Sequence, residues 1–300
     1  MRVPVQQITI GQLISRGAFG EVYCAKHNGK PVAVKKLSVV RDFFREAKHH
    51  IRLCHPHIVD FQAIAWTNLR DVCMVVEYMP MGNLRTLLDR YDRQKRDRGF
   101  TSDKVKIALH VVSALKFLHL AGVLHRDLKS KNVLLNDDLD AKLSDFGISR
   151  ERSDIGMTTG VGSSLWMAPE LLRGDVQYSE KVDMFAFGVV LSELDTHEWP
   201  YAFVKHERDS DVVRMRSVSF GARQRPVFAS EFALLDQVVR GSVSVSFSEP
   251  TEPESGVGVM QKKLAELGLA CVSVDPDRRP SAEEAYELIK EVFTFFTTAL

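Results

Sequence analysis

The sequence is poor in cysteine and has no long apolar run. Only four cysteines occur among 300 residues, and no two of them form a C-x-x-C pair. This spacing argues against a disulfide framework and against a thiolate zinc site, and it favours a reducing, cytoplasmic location. No stretch approaches the ~18 apolar residues that a membrane-spanning helix needs. The first residues, M-R-V-P-V-Q-Q, also lack the apolar core of a signal peptide. We therefore expect no membrane segment in this chain.

An excess of either charge is also missing. The chain has 40 Lys and Arg against 39 Asp and Glu, which gives a net charge of +1. Because no global field recruits nucleic acid or an anionic membrane surface, we expect no nucleic-acid partner and expect recognition through local contacts. With 45% hydrophobic and 26% charged residues over 300 positions, the chain can bury a sizeable core as one large domain or two lobes.

The period of the hydrophobic pattern changes along the chain. From residue 8 to about residue 76, short β-branched runs alternate with turn residues such as Asn28-Gly29, which predicts a strand-rich segment with one helix over 41–53. Beyond Gly82 helical periods dominate, and Pro80 and Gly82 mark the join. The helices predicted in this second part are 84–91, 104–120, 181–194, 261–272 and 282–296.

Two segments interrupt the helical rhythm. Residues 205–230 carry mixed charges and then four arginines without an acid between Arg214 and Arg225, which we interpret as an inserted, solvated loop. Docking of acidic partners on these arginines is the alternative. Residues 249–258 read E-P-T-E-P-E-S-G-V-G, and their prolines and glycines predict a second loop.

The chemistry is concentrated in residues 125–132, H-R-D-L-K-S-K-N, and in D-F-G at 145–147. Asp127 can accept a hydroxyl proton, and Lys129 can stabilise a migrating phosphoryl group as a point charge. Asn132 and Asp145 offer the hard oxygen ligands that suit Mg²⁺. Apolar runs on both sides of 125–132 predict a loop held between packed elements, which is a usual place for catalysis. The combination indicates phosphoryl transfer.

A nucleotide-binding half is indicated upstream. Residues 14–22, I-S-R-G-A-F-G-E-V, place glycines at a turn between strands, where backbone N–H groups can approach phosphates. Lys35 follows on an apolar strand and needs an anionic partner, for which phosphates and Glu46 on the predicted helix are candidates. Taken alone, an ordinary glycine hairpin and a snorkelling lysine are the commoner interpretations.

A histidine-rich stretch offers a rival site. His49, His50, His55 and His57 lie close to Cys54 and raise the question of a metal cluster. Adjacent helical residues point about 100° apart, so His49 and His50 cannot share a face. The spacing also matches no i, i+4 ligand pair with a base between, so we regard a metal site here as the weaker hypothesis.

Together these motifs resemble the eukaryotic protein kinases over 8–296, including A-P-E at 168–170. The resemblance implies an α+β bilobal fold: a small antiparallel β lobe with one helix (8–78), a hinge (79–82) and a large, mainly α lobe (83–296). It implies ATP and Mg²⁺ as cofactors, with Mn²⁺ as a substitute. It makes Lys35, Glu46, Asp127, Lys129 and Asn132 catalytic, and Asn132 and Asp145 metal ligands. The implied nucleotide contacts are Ile14, Ser15, Gly17, Gly20, Val22, Ala33, Lys35, Val76, Glu77, Met79 and Leu134.

The resemblance also implies a substrate class and internal supports. Lys129, two residues after the base, and G-S-S-L-W-M-A-P-E at 162–170 are similar to the tyrosine-kinase-like group, which includes the RAF and mixed-lineage kinases that act on Ser and Thr. We therefore expect protein substrates with Ser or Thr acceptors. Asp183 is expected to brace the catalytic loop, and Glu170 to pair with Arg279.

Regulation is implied for four residues. Thr158 and Thr159 lie between D-F-G and A-P-E, and Arg126 could bind a phosphate placed there by an upstream kinase. Phe146 belongs to a hydrophobic column that orders the site. These residues predict a kinase that is activated by phosphorylation of the segment after D-F-G.

Three departures from the family pattern stand out. Ser15 replaces the first glycine of the loop, only ten residues separate Lys35 from Glu46, and His50 occupies a position in the column that is usually apolar. His50 either packs with one nitrogen facing water or weakens the active state. These departures leave a pseudokinase scaffold as the main alternative function. A small-molecule kinase is disfavoured by A-P-E and by the long helical part.

Overall fold

The computed structural model describes residues 2–17, 20–37, 50, 53–68, 71–145, 164–204, 213–214, 217–220, 223–226 and 231–298. The β-branched runs of the first part form a six-stranded sheet in the order β1-β5-β6-β4-β3-β2. β1 runs parallel to β5, and all other neighbours are antiparallel. The strands are β1 (Arg2–Val3), β2 (Ile8–Gly17), β3 (Gly20–His27), β4 (Lys30–Leu37), β5 (Phe61–Ala65) and β6 (Cys73–Glu77).

The hairpin between β3 and β4 shows why local sequence predicted these strands well. His27 pairs with Lys30, so Asn28 and Gly29 form a two-residue turn. Their φ angles are 52° and 79°, and a turn with two positive φ values strongly prefers Asn-Gly. The turn therefore fixes the register that carries Lys35 opposite Val22.

Seven helices occur among the described residues and form the second, larger part. A small sheet of three strands, β7 (Gly82–Asn83), β8 (Val133–Leu135) and β9 (Ala141–Leu143), accompanies them, with β7 just before the first helix and the other two strands after the second. The helices are α1 (Leu84–Arg93), α2 (Ser102–Leu120), α3 (Pro169–Arg173), α4 (Lys181–Thr196), α5 (Glu231–Arg240), α6 (Gly256–Cys271) and α7 (Ala282–Thr298). The predicted arrangement of a small, mainly antiparallel β lobe and a larger α lobe is confirmed.

α4 is the centre of the larger core. Every residue from Val182 to Thr196 is buried, as expected for a helix that is apolar on nearly all sides. Gly188 makes this possible, because a Cβ there would lie 2.7 Å from the Cβ of Cys271 and 2.8 Å from the Gly268 carbonyl oxygen on α6. The close approach of α4 and α6 therefore depends on the absence of one side chain.

Most predicted helices are found within a few residues of their expected ends, with three corrections. α6 begins at Gly256, five residues before the predicted start, so the loop predicted over 249–258 ends at Ser255. Ser255 caps the helix by accepting a hydrogen bond from the Gly258 N–H at 3.0 Å. α5 was not predicted. The segment predicted as the loop 205–230 contains short strands where it is described: β11 (Val213–Arg214), β12 (Ser217–Phe220) and β13 (Arg223–Pro226), and β10 (Phe203–Val204) lies just before it.

Several sequence predictions fall outside the described residues. The helix over 41–53 is described only at His50 and Leu53. Residues 146–163, which include D-F-G after its first residue, are also outside. Among the described residues, no helix combines the length and apolarity needed to cross a membrane.

A buried ion pair joins α3 to the segment before α7, as the resemblance implied. Arg279, which is 1% exposed, donates to both carboxylate oxygens of Glu170 at 2.6 and 2.8 Å. Its remaining N–H groups donate to the backbone oxygens of Ser273, Lys181 and Val274. The guanidinium therefore exchanges its hydration for a complete set of protein partners, which is the condition for burying a charge.

We expect Arg279→Met to lower the free energy of unfolding by about 3–5 kcal/mol, because Glu170 would remain buried without its partner. Urea unfolding followed by circular dichroism measures the change. The matched control is Arg278→Met, since Arg278 is 80% exposed and its nearest acid, Asp275, lies 3.6 Å away. Equal effects of the two substitutions would contradict this account.

Candidate active site

A buried carboxylate positions residues 125–132. Asp183 on α4 accepts hydrogen bonds from the backbone N–H groups of His125 and Arg126, both at 2.8 Å, and from Nε2 of His119 at 3.0 Å. Burial alone would raise the pKa of Asp183, but these donors outweigh it, so the pKa lies below its usual range. The expected brace of the loop by Asp183 is confirmed.

The loop brings three of its polar side chains together. The Lys129 ammonium lies 2.7 Å from Oδ2 of Asp127, and Nδ2 of Asn132 donates to the same oxygen at 3.0 Å. Asn132 also donates to the backbone oxygen of Asp127 at 2.8 Å. The side chains of Asp127 and Lys129 are each 13% exposed. Asp127 is therefore oriented by two donors while its side chain stays partly exposed.

Asp145 and Lys35 meet across a cleft between the sheet and the helical part. The Lys35 ammonium on β4 lies 2.5 Å from Oδ1 of Asp145, which follows β9. The Asp145 side chain is 47% exposed at the rim of the cleft, whereas that of Lys35 is 15% exposed. Desolvation pushes the pKa of the Asp145 carboxyl upward, but the Lys35 charge more than offsets it and lowers the pKa. Asp145 is thus held as a carboxylate, the form that binds cations.

Asn132 and Asp145 are linked through the backbone. Ser144 donates from its N–H to the Asn132 carbonyl oxygen at 2.9 Å and from its hydroxyl to the same oxygen at 3.2 Å. The backbones of Asn132 and of the residue before Asp145 are therefore held together, which keeps the amide and the carboxylate in one region of the structure. Their oxygen atoms fit a hard divalent cation. Within the described residues, which include His50, Cys54, His55 and His57 but not His49, no group of three or more His, Cys, Asp or Glu could hold a metal ion.

One large cleft between the sheet and the helical part contains most of the predicted nucleotide contacts. The backbone pairs Ser15 with Val22 and Gly17 with Gly20, so the two glycines close the hairpin above the cleft without lining it. Glu46 and Phe146 lie outside the described residues. The predicted residues that line the cleft are Ile14, Ser15, Val22, Ala33, Lys35, Val76, Glu77, Met79 and Leu134.

Several lining residues were not predicted from the sequence. Among them are Val59, Met74, Asn83, Lys131 and Ser144. Lys131 belongs to the H-R-D-L-K-S-K-N motif and could have been found from it. The position of Asn83 has a local signal, because its side chain caps α1 by accepting from the Thr86 N–H at 3.0 Å.

The hinge is held by an ion pair that the sequence did not indicate. The Lys142 ammonium on β9 lies 2.6 Å from Oε2 of Glu77, the last residue of β6. The same carboxylate oxygen accepts from the Asp60 N–H at 3.2 Å, and the Glu77 N–H donates to the Asp60 carbonyl oxygen at 2.9 Å. The backbone of Glu77, which is the predicted adenine contact, is therefore fixed from two sides.

His50 packs differently from the expectation that one ring nitrogen faces water. It is 4% exposed, and its Nε2 lies 2.5 Å from the Val59 carbonyl oxygen, to which it donates. Burial lowers the pKa of His50, so the neutral ring is favoured. The ring lies 6.0 Å from that of Phe61. The buried ring therefore has a hydrogen bond at Nε2.

A second buried carboxylate connects the catalytic loop to the segment before α3. Glu193 on α4 accepts from the Ser130 hydroxyl at 2.7 Å and from the Trp166 indole N–H at 2.8 Å, and it pairs with Arg85 at 3.0 Å. Burial raises the pKa of Glu193, and these three donors offset the shift only in part. Glu193 thus holds both the catalytic loop and residues 164–166 in place on α4.

Comparison with known proteins agrees with this geometry. The model of the protein kinase domain matches residues 8–289. The chain belongs to the protein kinase family. Kinases of this family use ATP and a divalent cation and act on proteins.

The similar relatives are also kinases. Two probable serine/threonine-protein kinases of Dictyostelium discoideum are 31% and 30% identical over 97% of this chain, covering 28% and 38% of their own length. Mitogen-activated protein kinase kinase kinase 12 of Rattus norvegicus is 37% identical over 66% of this chain and 22% of its own length. The chain therefore spans less than two fifths of the length of these relatives.

We expect Lys35→Met to weaken binding of Mg-ATP about ten- to hundred-fold, because it removes a charge-assisted contact worth ~1.5–3 kcal/mol. Isothermal titration calorimetry at constant salt measures the affinity. Lys36→Met is the matched control, since Lys36 is the next residue on β4 and its ammonium lies 5.2 Å over the Tyr23 ring. Unchanged affinity in the Lys35 variant would contradict the assignment.

Proposed function

We propose that this chain is the catalytic domain of a serine/threonine protein kinase, which transfers the γ-phosphoryl group of Mg-ATP to Ser or Thr hydroxyls of proteins. The observation that carries the proposal is the pairing of Asp127 with Lys129 and of Asp145 with Lys35, two pairs that lie near enough for the Lys129 charge to help lower the pKa of Asp145. The two pairs combine a proton acceptor, a metal ligand and two cations. Phosphoryl transfer needs mainly such positioning and charge neutralisation.

The roles follow from the geometry of the side chains. Asp127 orients the acceptor hydroxyl and takes its proton, because Lys129 and Asn132 hold its carboxylate through Oδ2 while the side chain stays partly exposed. Lys129 neutralises charge on the migrating phosphoryl group. Asn132 and Asp145 would hold a divalent cation, which supplies neutralisation of the phosphate oxygens. Mg²⁺ suits this oxygen-only set, and Mn²⁺ can substitute. Lys35 binds the phosphates from the opposite wall.

Specificity for Ser and Thr is supported by Lys129 and by the relatives. The Lys129 ammonium lies beside the proton acceptor at 2.7 Å, where it can reach both the acceptor oxygen and the phosphoryl group. The relatives named above are serine/threonine kinases or a kinase of protein kinases. A pseudokinase scaffold is not favoured, since Lys35, Asp127, Asn132 and Asp145 are all present and grouped.

Location and partners stay proposals. The four cysteines are free thiols, which fits the expected reducing cytoplasm. Protein substrates with Ser or Thr and an upstream kinase are the proposed partners. The domain limits 8–78, 79–82 and 83–296 likewise remain predictions.

We expect the purified chain to transfer labelled phosphate from Mg-ATP to a peptide with a Ser acceptor and not to the same peptide with Tyr. Asp127→Asn should lower the rate about 10²–10⁴-fold, because the proton acceptor is lost. Asp137→Asn, at an exposed aspartate outside the cleft, is the matched control. Transfer that persists in the Asp127 variant would reject the assigned base, and transfer to Tyr alone would reject the substrate class.

Regulation by phosphorylation at Thr158 or Thr159 is part of the proposal, although both residues lie outside the described ones. Arg126 supports it from the described side. Its guanidinium lies 5.5 Å over the Tyr178 ring, and its buried Nε has no hydrogen-bond partner among the described residues. A half-buried cation with an unsatisfied donor is suited to an anionic group on a neighbouring segment.

We expect Thr158→Ala/Thr159→Ala to reduce kinase activity about tenfold or more, because a phosphate at either position forms one to three charge-assisted hydrogen bonds. Phosphatase treatment of the natural sequence should produce a similar loss and leave the double variant unchanged. Mass spectrometry identifies the modified residue. Full activity in the double variant would reject the regulatory role and leave the catalytic proposal intact.

A further inference from the structure

Two histidines from different parts of the chain are stacked beside β9. His57 lies in the segment before β5, and His110 lies on α2. Their ring centroids are 3.8 Å apart with an interplanar angle of 16°. Neither residue lines the nucleotide cleft. The catalytic mechanism therefore leaves this pair without a role.

Both rings bind the backbone of the same residue. Nδ1 of His57 lies 3.2 Å from the Ala141 carbonyl oxygen, and Nδ1 of His110 lies 3.1 Å from the Ala141 amide nitrogen. A carbonyl oxygen can only accept, and an N–H can only donate. His57 must therefore carry its proton on Nδ1, whereas Nδ1 of His110 must be unprotonated. The two rings therefore clamp the backbone of Ala141, because one binds its carbonyl oxygen and the other its N–H group.

The clamped residue begins the strand that leads to Asp145. Ala141 starts β9, and Leu143 ends it. The Leu143 N–H donates to the His57 carbonyl oxygen at 2.9 Å, and the Leu143 carbonyl oxygen accepts from the Val59 N–H at 3.0 Å. Ser144 is next and is tied to Asn132. The path from the clamp to the proposed metal ligand is thus four residues of hydrogen-bonded backbone.

We propose that His57 and His110 are positioning residues for the strand that carries Asp145, and that protonation of the pair releases this strand. A proton on Nδ1 of His110 would replace the acceptor of the Ala141 N–H with a second donor. It would also place a positive charge 3.8 Å from the ring of His57. Both changes oppose the clamp, so acidification should loosen β9 locally before the core unfolds.

The surroundings of the pair do not compensate a positive charge. Burial is the main reason that the pKa of His110 is lowered to about 4, and repulsion from His57 adds to it. Burial also lowers the pKa of His57. Among the described residues, the charged and titratable groups that act on the pair are one aspartate, two lysines and a third histidine: Asp140, Lys106, Lys142 and His55. The single carboxylate is already paired with Lys106 at 2.8 Å.

The direction of the pH effect follows from these pKa values. An unfolded or released histidine titrates near its ordinary value of 6.5, and clamped His110 titrates near 4. As the pH falls below about 6.5, the released state binds protons before the clamped state does, so the clamp weakens. This weakening continues until the pH reaches about 4, where the clamped state binds protons as well. At pH 5 the equilibrium between clamped and released strand should shift by up to roughly thirty-fold from His110 alone.

The test compares hydrogen exchange of peptides from residues 136–145 in the natural sequence and in His57→Asn/His110→Asn. Asparagine presents an amide N–H or oxygen near the position of Nδ1 and does not titrate, so the clamp can persist without its pH dependence. After correction for intrinsic exchange, the natural sequence should lose protection by tens of fold between pH 7 and pH 5. The variant should lose less than about threefold.

Controls separate this effect from general acid unfolding. His27→Asn, at a histidine in the sheet on β3, should behave as the natural sequence does. Peptides from α4 should keep their protection at pH 5, and a parallel loss there would overturn the proposal by showing global unfolding. Equal pH dependence in the natural sequence and the double variant would overturn it as well. If the double variant does not fold, the single variant His110→Asn provides the same comparison.

A second measurement tests the positioning role itself. The affinity for Mg-ADP should fall on acidification from pH 7 to pH 5 more steeply in the natural sequence than in the double variant, because only the former loses its hold on the strand of Asp145. The probe binds the cleft whether or not a Ser or Thr is the acceptor. The outcome is therefore independent of the proposed substrate class. Identical slopes would reject the positioning role.

Discussion

The carboxylate of Asp183 is the point on which the catalytic geometry depends. It is 1% exposed in the middle of α4, and an isolated anion at such a place would be very unfavourable. Its stability comes from the N–H groups of His125 and Arg126 and from His119. The core can hold this charge only while the loop keeps its bent path, including the positive φ of 64° at Arg126. Because the buried carboxylate needs these hydrogen bonds, it holds the backbone next to Asp127 in one conformation.

Ion pairs in this protein fall into two groups according to solvent exposure. Arg279 with Glu170 and Arg85 with Glu193 have side chains that are at most 6% exposed, and their partners are saturated by further hydrogen bonds. Such pairs fix the arrangement of helices, because separating them leaves an unpaired buried charge. Lys35 with Asp145 is different, since the carboxylate is 47% exposed. A pair at the rim can exchange its partner for phosphate or a cation at little cost.

Local sequence predicted the parts of the site that are local in the chain. Asp127, Lys129 and Asn132 lie within six positions, and one turn of backbone is enough to group them. The resemblance to kinases then supplied Asp183 and the pair of Glu170 with Arg279, although these contacts are long-range. The fold class was predicted because the change from strand to helical periods is strong. Roles assigned to individual residues remain predictions.

What the sequence did not reveal depends on packing. α5 buries only Leu234 and Val238, so its short apolar face gave a weak periodic signal. The start of α6 was missed because glycine was interpreted as a helix breaker. A Cβ on Gly258 would in fact meet the Glu252 carbonyl oxygen at 2.0 Å, and this close approach is visible only in three dimensions. The pair of Lys142 with Glu77 joins residues 65 positions apart, for which no local pattern exists.

β9 combines these separate constraints in three residues. Ala141 is bound by the two histidines, Lys142 reaches the hinge at Glu77, and Leu143 pairs with the segment before β5. Successive side chains of a strand point to opposite sides, so one short strand can contact the hinge on one side and the core on the other. The strand then delivers Asp145 to the cleft. A disturbance at any one of these contacts reaches the proposed metal ligand through at most four residues of backbone, which makes β9 a physical link between the hinge, the histidine pair and the site of phosphoryl transfer.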